Sequence, residues 1–340
     1  MTRLLRAVAV LVTAWLAACA APDAVSPAAP ALSWPGEPEA IRMVYVGAFS
    51  RPDDLGIGKS FLQRLGVFVF GAEDRHIVRP TAVVAVDGVY YVADPGAKGV
   101  HRFDRAGADY RLIRLADGKP LPSPVGLARG TGGAVYVTDS ALAQVFVIRP
   151  QARIAEPVAL QHALRQPTGV AVDPSTQRLI VTDTAAHQVL VFDPRGALAA
   201  TIGERGTGDG QFNYPTLLWC DATGRLFVND SLNFRVQIFD ANGAFAGKFG
   251  RHGDAAGDLV RHKGVATDRF GHVYVVDSLL HALQVFDESG RFLLSIGGQG
   301  REPGEFWLPM GLYVGDDDMI YVADSYNQRV QIFRYVGGRS

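Results

Sequence analysis

From about residue 80 to the C-terminus, apolar residues fall in runs of four to seven, rich in Val, Ile, Phe and Tyr and bounded by Asp, Asn and Gly. Short β-branched and aromatic runs between turn residues read as strands, and nothing between them repeats at helical spacing. One stretch shows four runs in succession: TLLWCD (216–221), RLFVND (225–230), RVQIFD (235–240) and AFAGKF (244–249). An apolar run ending in Asp, a turn and a second apolar run recur six times, marked by Asp94, Asp139, Asp183, Asp230, Asp277 and Asp324 at spacings of 45, 44, 47, 47 and 47 residues. A period of roughly 40–50 residues with four strands in each repeat marks a propeller blade. The expected fold is all-β, a six-bladed β-propeller of four-stranded antiparallel blades.

A ring of blades must close. The sixth repeat ends at Phe333 to Val336, too near the C-terminus to supply its own outer strand. The strand-like run Ile41 to Gly47 (IRMVYVG) precedes the first repeat and can supply it, which removes two edges that would otherwise template aggregation. The expected organisation is a leader over 1–18, an Ala/Pro-rich tether over 19–40 and a propeller over 41–340, the last divided into a closure strand (41–47), an insertion (48–79) and the blades (80–340).

The repeat does not explain the insertion. Phe61, Leu65 and Phe68 stand at i, i+4 and i+7, which suits an amphipathic helix, while the alternation over Val67 to Phe70 also suits a strand. Two roles stay open for this candidate docking segment: a cover over an apolar part of the propeller, or a contact for a partner or membrane surface.

The pattern P-x-G-V-A-V-D, then Y-V-A-D-S, then N-x-R-V-Q-I-F-D resembles the NHL repeat. The resemblance covers about residues 80–335, including the linker G-x-x-G-x-G-x-x-x-F of the late blades. Blades 1 and 2 are degenerate: Pro95, Gly96 and Ala97 follow the first Asp, and blade 2 lacks the glycine linker.

Composition adds an address. Arg3 and Arg6, the apolar run Ala7 to Leu16 and the small residues after it make an export leader. Leu16-Ala17-Ala18-Cys19 resembles the lipobox of bacterial lipoproteins, which implies lipid attachment at Cys19 and membrane anchorage by several acyl chains. Ala20 after the cysteine slightly favours the outer membrane by the same resemblance. Pro22, Pro27, Pro30, Pro35 and Pro38 make 19–40 a semi-rigid spacer. Loss of the leader leaves 31 basic against 34 acidic side chains, a formal charge of −3. With no run of like charge, no nucleic-acid partner is expected.

Candidate chemistry is sparse. GxSxG and P-loop motifs are absent, as are metal-binding cysteine spacings. The six marker aspartates recur in every blade and therefore read as turn hydrogen-bonding scaffold, and His187 and His281, at the histidine of the Asn-His-Leu signature, read the same way. Cys220 lies in an apolar strand and reads as an inert buried thiol. Amidating lyases with a related propeller bind zinc through histidines, for which His76, His162 and His262 are the counterparts to test. No cofactor, metal ligand set or catalytic residue is assigned.

Strand direction places the turns after the second strands and the blade-to-blade linkers on one face. Long loops carry function more often than tight hairpins. The candidate partner-binding face is therefore Arg205, Arg251, His252, Arg261, His262, Lys263 and Arg301, with Tyr214, Phe234, Trp307 and Tyr326 as aromatic contacts. The expected function is a membrane-anchored extracytoplasmic binding or scaffolding module for an envelope protein or small ligand. A periplasmic lyase or lactonase with its site at the channel mouth is the alternative.

Overall fold

The computed structural model describes residues 32–35, 42–58 and 75–337. They form six antiparallel sheets, one per repeat, visited in chain order. Blade 1 is Ala82–Val86, Val89–Asp94, Gly99–Asp104 and Asp109–Ile113; blade 2 is Pro124–Arg129, Val135–Asp139, Gln144–Ile148 and the short Glu156–Pro157. Blade 3 is Pro167–Val172, Leu179–Asp183, Gln188–Phe192 and Leu198–Ile202, and blade 4 is Pro215–Cys220, Leu226–Asp230, Arg235–Phe239 and Phe245–Phe249. Blade 5 is His262–Thr267, Val273–Asp277, Ala282–Phe286 and Phe292–Gly297. Blade 6 takes Leu312–Val314, Met319–Asp324 and Arg329–Tyr335 from the C-terminus and Met43–Phe49 from the N-terminus.

The closure strand pairs antiparallel with the last strand from Met43↔Tyr335 to Phe49↔Val330, with a bulge between Tyr45 and Gly47. It reaches two residues beyond the expected end at Gly47. Phe49 is the reason: its ring is buried 5.3 Å from that of Phe103 and 5.2 Å from that of Tyr90. The strand that closes blade 6 is thereby also packed onto blade 1. Ser33–Trp34, inside the segment expected to be only a spacer, adds a fifth strand opposite Val44 and Met43. Trp34 supplies the apolar area that the surrounding Ala/Pro sequence lacks, and it packs 5.8 Å from Phe333. The centre of the insertion, with Phe61, Leu65 and Phe68, and the leader with Cys19 lie outside the described residues.

Two repeat positions build the core. The residue two before each marker aspartate is valine in all six blades (Val92, Val137, Val181, Val228, Val275 and Val322), each fully buried. Nine after the aspartate stand Phe103, Ile148, Phe192, Phe239, Phe286 and Phe333, also buried. Facing sheets thus interdigitate one β-branched and one large side chain per blade, the close packing expected of aligned sheets. Among the described residues no helix is long and apolar enough to cross a membrane.

Candidate functional site

The linker face is held by the repeat itself. Each marker aspartate is buried and accepts backbone N–H groups. Asp277 takes those of Val260 and Arg261 before the inner strand and of Leu279 and Leu280 after itself. In blades 4 and 6 an arginine joins: Arg235 donates to Asp230 at 2.8 Å and to the carbonyls of Gly208 and Gln211, and Arg329 does the same with Asp324, Glu302 and Glu305. The residue four after each aspartate adopts positive φ, and at His187 and His281 this turns Nδ1 toward the backbone N–H groups of Tyr214 and Leu308, both at 3.2 Å. The aspartates and arginines thus tie a blade to the linker that precedes it, and the two histidines tie theirs to the linker that follows.

The partner-face residues therefore sort into two sets. Arg205, Arg251, His252, Arg261 and Arg301 are exposed. Arg251 is nevertheless paired with Asp258 at 2.6 Å, and His252 lies against Phe234 at 4.3 Å. Arg301 sits 5.0 Å above Trp307, Trp307 is 6.0 Å from Tyr326, and Arg79 covers the other end of this ladder. Tyr214 packs 4.5 Å from His187. His262 and Lys263 correct the expectation. They belong to the inner strand of blade 5 rather than to its loop, and His262 is 0% exposed, its Nε2 2.9 Å from the Arg235 carbonyl. Burial lowers His262 to about 4, although the Arg235 carbonyl and nearby Asp277 act the other way, and burial also lowers the Lys263 amine. Missed by sequence reading were Leu232 and Leu279, which stand with Tyr326 at one repeat position, each about half exposed on this face.

The larger concavity lies on the opposite face. Inner strands of all six blades line an axial cavity of about 1000 Å³ whose mouth is formed by the hairpins between first and second strands. Near the linker end the strands come close: a Cβ on Gly126, Gly169, Gly264 or Gly311 would meet backbone of the next blade at 2.3–2.6 Å. In blades 2, 3 and 5 these glycines sit in a register shift, where an extra residue reorients the strand. Two residues further along, blades 2, 3 and 5 carry Ala128, Ala171 and Ala266, but blades 4 and 6 carry Trp219 and Tyr313. The two rings meet edge to face at 5.8 Å, and Trp219 Nε1 donates to Thr267 Oγ1 at 2.9 Å. One side of the cavity is thus aromatic and the other is lined by small side chains and the glycine hairpin Gly130 to Gly133.

The mouth is charged, and its arginines are paired. Arg129 donates to Asp316 at 2.6 Å and lies 4.0 Å from Asp87. Arg225 bridges Asp221 at 2.7 Å and Glu288 at 3.6 Å, and Arg269 meets Asp318 at 2.5 Å. Hydrogen bonding to Asp316 holds Arg129 above its ordinary value. Burial disfavours the Asp268 carboxylate, but hydrogen bonds from His272 and Tyr274 outweigh it and keep Asp268 below its usual range. Cys220 lines the same wall; burial, then Asp173 and Asp221, push its thiol up to about 12, so it is not a nucleophile at neutral pH.

The three histidines considered for zinc do not converge, since His262 is in the core and His162 is exposed. Among the described residues no three of His, Cys, Asp and Glu gather in a way that could hold a metal ion.

Five four-stranded sheets and one of five strands around a lined axis define a six-bladed β-propeller. Residues 265–336 match the family described as a 6-bladed beta-propeller, and residues 164–192 match the NHL repeat. It is 37% identical over 106 residues to the peptidyl-glycine alpha-amidating monooxygenase of Mus musculus, a match spanning 27% of this chain and 11% of that protein. An auxiliary nutrient binding protein from Bacteroides thetaiotaomicron superimposes with a TM-score of 0.61 at 10% identity, covering 77% of this chain and 70% of that one. Virginiamycin B lyase from Staphylococcus aureus does so with a TM-score of 0.55 at 13% identity, covering 76% and 96%. At such identities the likeness is one of fold.

Proposed function

We propose that this propeller is an exported, lipid-anchored binding module that holds a small organic ligand in its axial cavity. The observation that carries the reading is the departure from the repeat at Trp219 and Tyr313. A position that is alanine in three blades becomes aromatic in two, and both rings line one cavity of about 1000 Å³. Scaffold positions repeat; a ligand without sixfold symmetry requires walls that do not. The size and mixed lining are those of a small-molecule site. A nutrient-binding protein among the structural relatives agrees with this role.

The test is a thermal-shift screen of the lipoprotein against a panel of small organic compounds, repeated with Ala171→Trp. That substitution puts in blade 3 the side chain blade 4 already carries and fills the open side of the cavity. Compounds that raise the wild-type Tm should lose their effect in this variant; a retained shift would place binding elsewhere. Anchorage is tested separately. Cys19→Ser should abolish incorporation of a labelled fatty acid, because the acyl chains attach through that thiol.

A further inference from the structure

We infer that the axial cavity selects a cationic aromatic or apolar ligand, such as an aryl-alkyl amine, over its neutral and anionic counterparts. This rests on the reading of the cavity as a ligand site and adds the chemical class. The cavity is lined by six carboxylates, Asp87, Asp221, Asp268, Glu288, Asp316 and Asp318, and by three guanidinium groups, Arg129, Arg225 and Arg269. Among the described residues no lysine or histidine lines it. Asp268 is buried against His272 and Tyr274, and pairing of the other five carboxylates with the three arginines leaves an excess of two negative charges at the mouth of an apolar concavity, where low-dielectric walls focus the field.

The arrangement is uneven in a useful way. Arg129 is shared between Asp316 and Asp87, whose side chains are 87% and 78% exposed, so one arginine faces two solvated carboxylates. Arg225 likewise stands between Asp221 and Glu288. An ammonium group at the mouth can take the second place on either shared site, while the ring it carries enters toward Trp219 and Tyr313. Aromatic rings favour a cation over an anion at their faces. A carboxylate ligand would have to displace an acidic side chain from an arginine already engaged.

The experiment uses three probes sharing one naphthyl-ethyl skeleton and ending in a primary amine, an N-acetyl amide or a carboxylate. Binding to the full-length lipoprotein in detergent is followed by tryptophan emission and calorimetry at low salt. The amine is expected to bind at least about fivefold more tightly than the amide, the carboxylate least of all, and the preference should shrink as salt is raised. Paired variants give opposite signs. Asp87→Asn with Asp316→Asn should weaken amine binding by about fivefold, and Arg129→Gln, which frees both carboxylates, should strengthen it by a similar factor. A general disturbance of the rim would weaken it in both.

Equal affinity for all three probes, or a preference for the carboxylate, would overturn the cation selectivity while leaving the cavity as a ligand site. Failure of all three probes to bind, together with compounds from the screen that still bind Ala171→Trp, would overturn both.

Discussion

The indole of Trp219, on the inner strand of blade 4, hydrogen-bonds Thr267 on the inner strand of blade 5 and lies edge to face with Tyr313 of blade 6. One side chain therefore couples three blades at the axis, at a position that is alanine in blades 2, 3 and 5. Its half-buried ring packs against three separate apolar clusters. The residue that shapes the cavity is also a structural tie.

Trp219→Ala should accordingly destabilise the fold by about 2–4 kcal/mol, somewhat below a fully enclosed tryptophan because one side of the ring faces open space. Urea unfolding measures it. Trp219→Phe, which keeps most of the packing and loses the Thr267 bond, should cost about 1–2 kcal/mol.

Glycine at the inner-strand bulge is a sharper test of the blade spacing. Gly264→Ala would set a Cβ 2.6 Å from the backbone nitrogen of Leu312, which no rotamer change can relieve. The expected loss is about 2 kcal/mol or more. Gly247→Ala, on an outer strand where nothing lies within 4 Å of the added carbon, should be neutral or slightly stabilising. Comparable effects at the two sites would show that the inner strands are not held so close.

The blades were legible because each must solve the same packing problem, so Val92 and Phe103 reappear at matched distances from every marker aspartate. Closure was legible from a missing strand at the C-terminus. The cavity was not. Trp219 stands in TLLWCD, a run that reads as one more apolar strand, and only the register of all six inner strands shows that it replaces an alanine at the axis. His262 and Lys263 misled for a related reason. Beside Arg261 they look like a basic loop, but blade 5 begins its inner strand one residue after Arg261 and draws the imidazole inside. Loop length drew attention to the linker face, whereas the larger concavity is made by short hairpins.

Buried His262 makes acid sensitivity predictable. Its folded value is lowered to about 4 from an ordinary 6.5, so the unfolded chain binds the proton more readily over that interval. Its contribution is fully present above about pH 6.5 and is lost as pH falls toward 4, by about 1.4 kcal/mol per pH unit through most of the window. Lowered by burial, His281 acts in the same sense more weakly. Four other blades have Pro124, Pro167, Pro215 and Pro309 at this place. His262→Pro should therefore fold, and the drop in Tm between pH 7 and pH 5 should shrink relative to wild type. An unchanged pH profile would mean that the imidazole is not held neutral.

The last prediction concerns closure. Without Met43–Phe49 the strand Arg329–Tyr335 would present its N–H and C=O groups on an open edge, and Phe49 would leave its place against Phe103. Open edges recruit strands from other molecules. A chain beginning after Phe49 should therefore melt well below the wild type and run as oligomers in gel filtration. A chain beginning after Trp34, which loses only the two-residue outer strand and the Trp34–Phe333 contact, should remain monodisperse with a smaller loss. Strand addition is reversible when the edge is specific. A synthetic peptide spanning residues 32–50 should then restore much of the lost Tm and dissolve the oligomers, whereas a peptide of the same composition in scrambled order should not. Failure of the wild-type peptide to rescue, with the shortened chain still monomeric and stable, would show that blade 6 closes without its N-terminal strand.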